Sequence, residues 1–206
     1  MYTTCVVAVL LFHAQYGLTR QGLQNEISDI TEASPYMSIH KACGAMPLLR
    51  LYGINYPATN LDTDCSFFNI THLNSTHVEY EKRSASDNRW IAKYYGVFYS
   101  SHALNDGLRM HSSASFDSVT VKNTPDSKRG ANYTLLYADN RKCSILSVPL
   151  SISGGTWNTA GFKCRVLLTP DALEQGIPPD CETAFLQFCG STQNLVKLFN
   201  KNCLTI

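Results

Sequence analysis

Short runs of hydrophobic and β-branched residues recur along the chain from about residue 47, each followed by residues that favour turns. Within most runs the apolar and polar positions alternate, which is typical of strands with one buried face. The connections are short, as at Asn105-Asp106-Gly107, and short connections favour antiparallel neighbours. The pattern predicts strands over 48–56, 64–71, 77–82, 90–100, 107–113, 116–122, 131–139, 143–149 and 160–168.

The order of these strands predicts how they assemble. Consecutive antiparallel strands form an up-and-down meander, and closing the meander into a barrel removes exposed strand edges. After Pro178-Pro179-Asp180 the apolar residues recur at three- and four-residue steps as far as Phe199, which predicts a helix capped by Asp180. The predicted fold is all-β with a C-terminal α-helix, built on an eight-stranded antiparallel up-and-down barrel.

The first residues have the character of a secretory leader. An apolar run over 5–12, too short to cross a bilayer, is followed by small residues, which is typical of a signal peptide. The alternative is a buried N-terminal strand. We expect the leader to span 1–17, a polar segment to span 18–46, and the barrel with its helix and tail to span 47–206.

The net charge and the glycosylation sequons indicate which partners and which location to expect for the protein. The formal net charge is +1 and no basic stripe is present, so nucleic acid is not an expected partner. No later stretch has the length of a membrane helix, and no membrane span is expected. Three N-x-S/T sequons, at Asn69, Asn74 and Asn132, predict a glycosylated, secreted protein.

The cysteines predict a disulfide framework. Of the eight, Cys5 lies in the expected leader, and the remaining seven are Cys43, Cys65, Cys143, Cys164, Cys181, Cys189 and Cys203. None forms a CxxC pair and no histidine lies at zinc-finger spacing, so disulfides are favoured over a metal site. Because seven is odd, at least one thiol is free or pairs with another chain.

Glycosylated asparagines and charged residues indicate which side of each strand faces outward, because side chains alternate across a strand. On the last strand, Lys163 and Arg165 are expected outside and Cys164 inside, which makes Cys164 the expected free thiol. The side chains predicted to line the barrel lumen are Phe68, Ile70, Val78, Tyr80, Trp90, Tyr94, Phe98, Met110, Tyr133, Leu135, Tyr137 and Phe162.

This predicted lumen is apolar and aromatic, and no carboxylate is placed within it. Such a lumen suits a hydrophobic ligand, because an ammonium ion would be buried there without a counter-charge. The alternative is that these side chains fill the barrel as ordinary core.

Three groups of residues together resemble a known family. They are Cys65-Ser66-Phe67-Phe68 on the second strand, the turn from Leu136 to Leu146 around Cys143, and Ile177-Pro178-Pro179-Asp180-Cys181 before the final Cys203. The pattern is similar to that of the tick salivary lipocalins, the histamine-binding protein family. The resemblance implies a secreted lipocalin barrel with the disulfides Cys65–Cys203 and Cys143–Cys181. Cys43 and Cys189 are then paired with each other, and Cys164 is left free.

Two departures from the family pattern bear on the ligand. Ser144 stands where amine-binding members carry an acidic residue, and Cys164-Arg165-Val166 stands about where they carry Glu-Leu-Trp. An amine ligand is therefore not favoured. The sequon-rich stretch from Cys65 to Thr76 most resembles the Japanin-like branch, which implies a barrel that carries cholesterol and an action on dendritic cells.

No motif of nucleophilic, metal-dependent or nucleotide-dependent catalysis is present, so an enzyme is not expected, nor a cofactor other than a bound sterol-like lipid. The expected partners are a small hydrophobic ligand and a host immune-cell surface protein. One alternative is a scavenger of a leukotriene, a fatty acid or a biogenic amine. The other is a protein-binding module whose lipid is only structural.

Overall fold

Eight antiparallel strands close into a lipocalin-like barrel in the computed structural model, which describes residues 38–58, 65–84, 88–101, 116–139, 141–148, 162–199 and 203. The strands are β1 (Leu48–Ile54), β2 (Ser66–Leu73), β3 (His77–Ser84), β4 (Trp90–Tyr99), β5 (Ser118–Lys122), β6 (Ala131–Ala138), β7 (Cys143–Ser147) and β8 (Cys164–Leu168). Each strand pairs with the next, and β1 pairs with both β8 and β2, which closes the sheet. The predicted fold class is confirmed.

Some of the predicted segments cannot be compared with the structure. The expected leader 1–17, the part of the polar segment up to residue 37 and the predicted strand 107–113 all lie outside the described residues. The other predicted strands are each present, with ends that differ by a few residues.

Among the described residues, three α-helices flank the barrel: α1 (Ile39–Ala45), α2 (Pro170–Gln175) and α3 (Pro179–Cys189). The predicted C-terminal helix is α3, but it ends at Gly190, where a φ of 90° suits glycine, rather than continuing to Phe199. Its N-cap is Pro178 and Asp180 lies in its first turn. A 3₁₀ turn (Thr192–Asn194) and a short strand β9 (Val196–Lys197) on β1 follow. None of the described helices has the length and apolar character to span a membrane.

Part of the barrel wall is buried on both its inner and its outer face. Apolar side chains inside it form one cluster, and α3 packs on the outer face of β6 and β7 to form a second. All five residues of β8 are buried, because Leu167 faces the inner cluster while Cys164, Val166 and Leu168 face the outer one. Alternation of polar and apolar residues therefore carries no information about direction on this strand.

Three disulfides connect the described cysteines. Cys65–Cys203 and Cys143–Cys181 are the pairs that the family resemblance implied. The predicted Cys43–Cys189 pair is wrong, and so is the prediction that Cys164 is free, because the third bridge is Cys164–Cys189. Cys164 points out of the barrel beneath α3, where Cys189 is the last residue of that helix, and Cys43 carries the free thiol.

Candidate ligand-binding site

The two ends of the barrel differ. At the end that we call the base, α1 lies across the interior: the Ile39 amide donates to the Phe116 carbonyl at 2.8 Å, and Ile39, Ala42 and Met46 are buried in the inner cluster. At the opposite end, the mouth, β3, β5 and β7 finish and β4, β6 and β8 begin. Among the described residues, α1 therefore covers the base of the barrel.

The described residues enclose two adjoining cavities in the interior. The upper cavity, of about 420 Å³, lies toward the mouth, and the lower cavity, of about 100 Å³, extends toward α1. Both are bounded by the same five side chains, Phe68, Tyr80, Val121, Tyr133 and Arg165. The lower cavity is otherwise apolar apart from the Cys43 thiol. Together they form a site with an apolar inner end and a polar outer end.

Most of the side chains predicted for the lumen lie inside the barrel. Phe68, Tyr80, Tyr94 and Tyr133 border the upper cavity, and Ile70 and Val78 border the lower one. Phe98 and Leu135 are buried in the inner cluster without bordering either cavity. Met110 lies outside the described residues.

Trp90, Tyr137 and Phe162 were predicted inside, and the structure places all three elsewhere. Between Ala92 and Trp90 the register against β3 shifts by one residue, so Trp90 opposes Arg83 on the outer face and is 55 % exposed. A second irregularity, between Leu135 and Tyr137, turns Tyr137 toward the outer cluster beneath α3. Phe162 precedes β8 and is exposed.

Arg165 was predicted on the outer surface and lies in the interior instead. Its side chain borders both cavities and the residue is only 8 % exposed. Its Nε donates to the Tyr56 hydroxyl at 2.9 Å, and its Nη1 donates to the Tyr133 hydroxyl at 3.2 Å. The prediction of an apolar lumen is thus wrong at this position, since Arg165 borders both cavities.

Lys82 is a second buried cation that borders the upper cavity. It shares the inward direction of Val78 and Tyr80 on β3, while Glu79 and Glu81 face outward with Arg83 and Lys93. The strand alternation that places Val78 and Tyr80 inside therefore also places Lys82 inside, and this signal was available in the sequence. Lys122 and Arg129 complete the cationic lining, and no Asp or Glu is among the described residues that border either cavity.

Tyr80 and Tyr94 border the upper cavity beside Arg165, and both remain protonated at neutral pH. Burial raises the pKa of Tyr80 well above its ordinary value, and the neighbouring Tyr133 and Tyr94 raise it further. Burial also raises the pKa of Tyr94, against a smaller opposing effect of Arg165. The interior therefore presents neutral hydroxyls beside positive charges, which favours an anionic or hydrogen-bond-accepting ligand group.

The Cys43 thiol borders the lower cavity, and its burial raises its pKa to about 12. Because only the thiolate is nucleophilic, we expect Cys43 to react at pH 8 at least about 100-fold more slowly with an aromatic disulfide reagent than it does after denaturation. The measurement is the thiol-release time course of the native protein, with Cys43→Ser as the control that reports any other thiol. If the native protein releases one equivalent of thiol as fast as the denatured protein, and native Cys43→Ser releases none, this placement is contradicted.

The three sequon asparagines all face away from the lumen. Asn69 opposes the outward Glu81 on β3, Asn132 is exposed, and Asn74 is exposed in the β2–β3 turn. The Asn74 Oδ1 accepts from the backbone amides of Thr76 and His77 at 2.9 and 2.8 Å. Asn74 lies at the base and Asn132 near the mouth, and the presence of glycans at all three positions remains a prediction.

No group of three or more His, Cys, Asp or Glu side chains within the described part of the chain is arranged to hold a metal ion. The site therefore offers cations, phenols and apolar surface for ligand recognition. This is the chemistry of a binding cavity, with a small number of polar groups that orient a mainly apolar molecule.

Comparison with known proteins gives a consistent result. The sequence model of the tick histamine-binding protein family matches residues 52–205. No curated protein sequence matches the chain. The crystal structure of AM182 in complex with serotonin superposes with a TM-score of 0.56 at 13 % identity, over 82 % of this chain and 93 % of that one.

Two further structures are similar at lower scores. Lobster apocrustacyanin A1 has a TM-score of 0.43 at 12 % identity, over 82 % of this chain and 81 % of that one. A biogenic amine-binding protein has a TM-score of 0.40 at 8 % identity, over 77 % of this chain and 85 % of that one.

Proposed function

Because the chain belongs to the tick histamine-binding protein family, we propose that its barrel binds a small amphiphilic molecule whose polar end is acidic. The apolar part of the ligand occupies the lower cavity and the acidic group lies beside Arg165. The protein acts by binding and sequestering this molecule, and no catalytic role is proposed. Among the alternatives predicted from the sequence, this corresponds to the scavenger of a fatty acid or a leukotriene.

The observation that carries the proposal is the position of Arg165. A guanidinium buried between two cavities, with its plane oriented by the hydroxyls of Tyr56 and Tyr133, is prepared to recognise an oxyanion. Orientation before binding reduces the entropy lost when the ligand is fixed. Aromatic and aliphatic side chains below Arg165 supply the apolar surface that a hydrocarbon chain needs.

The same lining argues against an amine in the described part of the barrel. Amine recognition needs a carboxylate at the ligand's ammonium, and the described cavity residues include four cationic side chains and no acidic one. Ser144, where the amine-binding pattern has an acid, is buried, and its hydroxyl finds no hydrogen-bond partner among the described residues.

A sterol is the second candidate, and the apolar lining of the lower cavity favours it. Cholesterol carriage and an action on host dendritic cells through a surface protein are what the Japanin-like resemblance implies, and they remain proposals. We also propose secretion and glycosylation, which the sequence predicts. The three disulfides support them, since such bridges persist in oxidising compartments.

The test is native mass spectrometry of the protein from a secreting eukaryotic host after deglycosylation, followed by calorimetric titration of the delipidated protein with oleate, cholesterol and serotonin. We expect oleate to bind with a one-to-one stoichiometry and at least about tenfold more tightly than serotonin, because only oleate pairs with Arg165. Tight binding of serotonin with no uptake of oleate would overturn the proposal, and preferential binding of cholesterol would favour the second candidate.

A further inference from the structure

We infer that a groove on the outer face of the barrel is the binding site for the first N-acetylglucosamine of a glycan at Asn74. The inference rests on the glycosylation proposed above and goes beyond it, because it assigns the sugar a site on the protein. The observation that carries it is that the Asn74 side chain borders this groove, whose volume is about 230 Å³. The other two sequon asparagines, Asn69 and Asn132, do not border it.

The register of the strands builds the floor of the groove from outward side chains of β2 to β5. His72 on β2 opposes Glu79 on β3. Glu79 in turn opposes Tyr95 on β4, and Tyr95 opposes Lys122 on β5. All four border the groove. The β2–β3 turn, which carries the sequon, adjoins this row on the side of the base, so a sugar attached to the turn lies beside the row.

The lining of the groove has the chemistry that a sugar ring needs. Tyr95 and Val97 are half-buried on its floor, and Pro125 borders it from the β5–β6 connection. The faces of a sugar ring consist of C–H groups with a small positive charge, which pack against the negative face of an aromatic ring. The imidazoles of His72 and His77 border the same groove and can pair with the hydroxyl and acetamide groups of the sugar.

The groove has no excess of carboxylate or ammonium groups. Glu79 and Lys122 are the acidic side chain and the lysine that border it. The Glu79 carboxylate is also paired with the Lys93 ammonium at 2.7 Å. An ionic ligand would meet both signs of charge in this lining, whereas an uncharged sugar can use either group as a hydrogen-bond partner. The charges therefore favour N-acetylglucosamine over a charged ligand.

Local hydrogen bonds hold the Asn74 carboxamide in place. Its Oδ1 accepts from the backbone amides of Thr76 and His77, and the Thr76 hydroxyl lies 2.6 Å from the His77 Nδ1. The Asn74 Nδ2, the atom to which a glycan attaches, takes part in none of these bonds. Because the attachment is covalent, the sugar has a high effective concentration at the groove, and weak contacts are enough to hold it there.

The experiment uses the intact protein from a secreting eukaryotic host that makes high-mannose glycans. An endoglycosidase trims each glycan to a single N-acetylglucosamine, and mass spectrometry of glycopeptides establishes whether Asn74 is occupied. Proton NMR then follows the acetyl methyl signal of each sugar, with Asn74→Gln used for assignment. Tyr95→Ser removes the ring. Tyr99→Ser is the matched control, because Tyr99 points outward on the same strand and does not border the groove. Melting curves verify that the variants are folded.

We expect the ring current of Tyr95 to shift the acetyl methyl signal of the Asn74 sugar upfield, with a nuclear Overhauser effect between the methyl group and the ring. Tyr95→Ser should return the signal to the position of an exposed sugar, and Tyr99→Ser should leave the shift unchanged.

Three results would contradict this expectation. If Asn74 carries no sugar, the proposed glycosylation at this position and the inference both fail. If Asn74 is occupied but its methyl signal has the same position in Tyr95→Ser and shows no contact with Tyr95 or Val97, only the inference is overturned. A shift that Tyr99→Ser also removes would mean that the sugar does not occupy this groove.

Discussion

Replacing Arg165 with methionine should lower the affinity for an acidic amphiphile by about 100-fold, because a buried charge that pairs with the ligand is lost while the length of the side chain is kept. Arg165 borders both cavities and is the cation nearest the boundary between them. Isothermal titration with oleate measures the effect, and cholesterol titration measures in parallel whether the apolar part of the site persists.

Two further substitutions give this prediction its controls. Arg165→Lys keeps the charge and loses the planar fork, so an intermediate loss of affinity is expected. Arg141→Met removes an exposed arginine from the β6–β7 connection at the base, and the affinity should not change. If Arg165→Met folds and binds oleate like the original protein, the acidic-ligand proposal fails.

Truncating Phe185 to alanine should lower the free energy of unfolding by about 3–5 kcal/mol, since the ring is fully buried between α3 and the outer face of the barrel and the truncation leaves a cavity. The next residue, Leu186, is 51 % exposed on the same helix. Leu186→Ala should therefore change the free energy of unfolding by less than about 0.5 kcal/mol.

Chemical denaturation under non-reducing conditions measures both variants with the three disulfides intact. Both substitutions introduce alanine into the same helix, so the difference between their free energies of unfolding reports burial rather than helix propensity. Equal losses for Phe185→Ala and Leu186→Ala would mean that α3 does not pack on the barrel in the described orientation.

The fold was predictable because most strands are covered on one face only. On β3, outward Glu79 and Glu81 alternate with inward Val78 and Tyr80, and this regular alternation located both the strand and its direction. The extent of α3 was less predictable. The helical spacing of apolar residues continues to Phe199, but Gly190 ends the helix, and the following residues form a 3₁₀ turn and the short strand β9 on β1.

The site was predictable only where the strands are regular. A local register shift changes which face the neighbouring side chains point to, and the shifts next to Trp90 and Tyr137 leave no mark in the local sequence. Arg165 was misplaced for another reason: a charge marks the outer surface only if that surface meets water, and β8 is covered by the barrel interior on one side and α3 on the other. The same cover brought Cys164 within reach of Cys189.

The bridge between Cys65 and Cys203 joins residues 138 positions apart, so strands β2 to β8 all lie within one covalent ring. A protease that hydrolyses a single peptide bond in that ring linearises it without releasing a fragment. Each piece retains its hydrogen-bonded neighbours, and the cut ends stay in one molecule. Resistance to inactivation by limited digestion is therefore built into the connectivity, and after a nick between Cys65 and Cys143 only this bridge keeps the two pieces covalently joined.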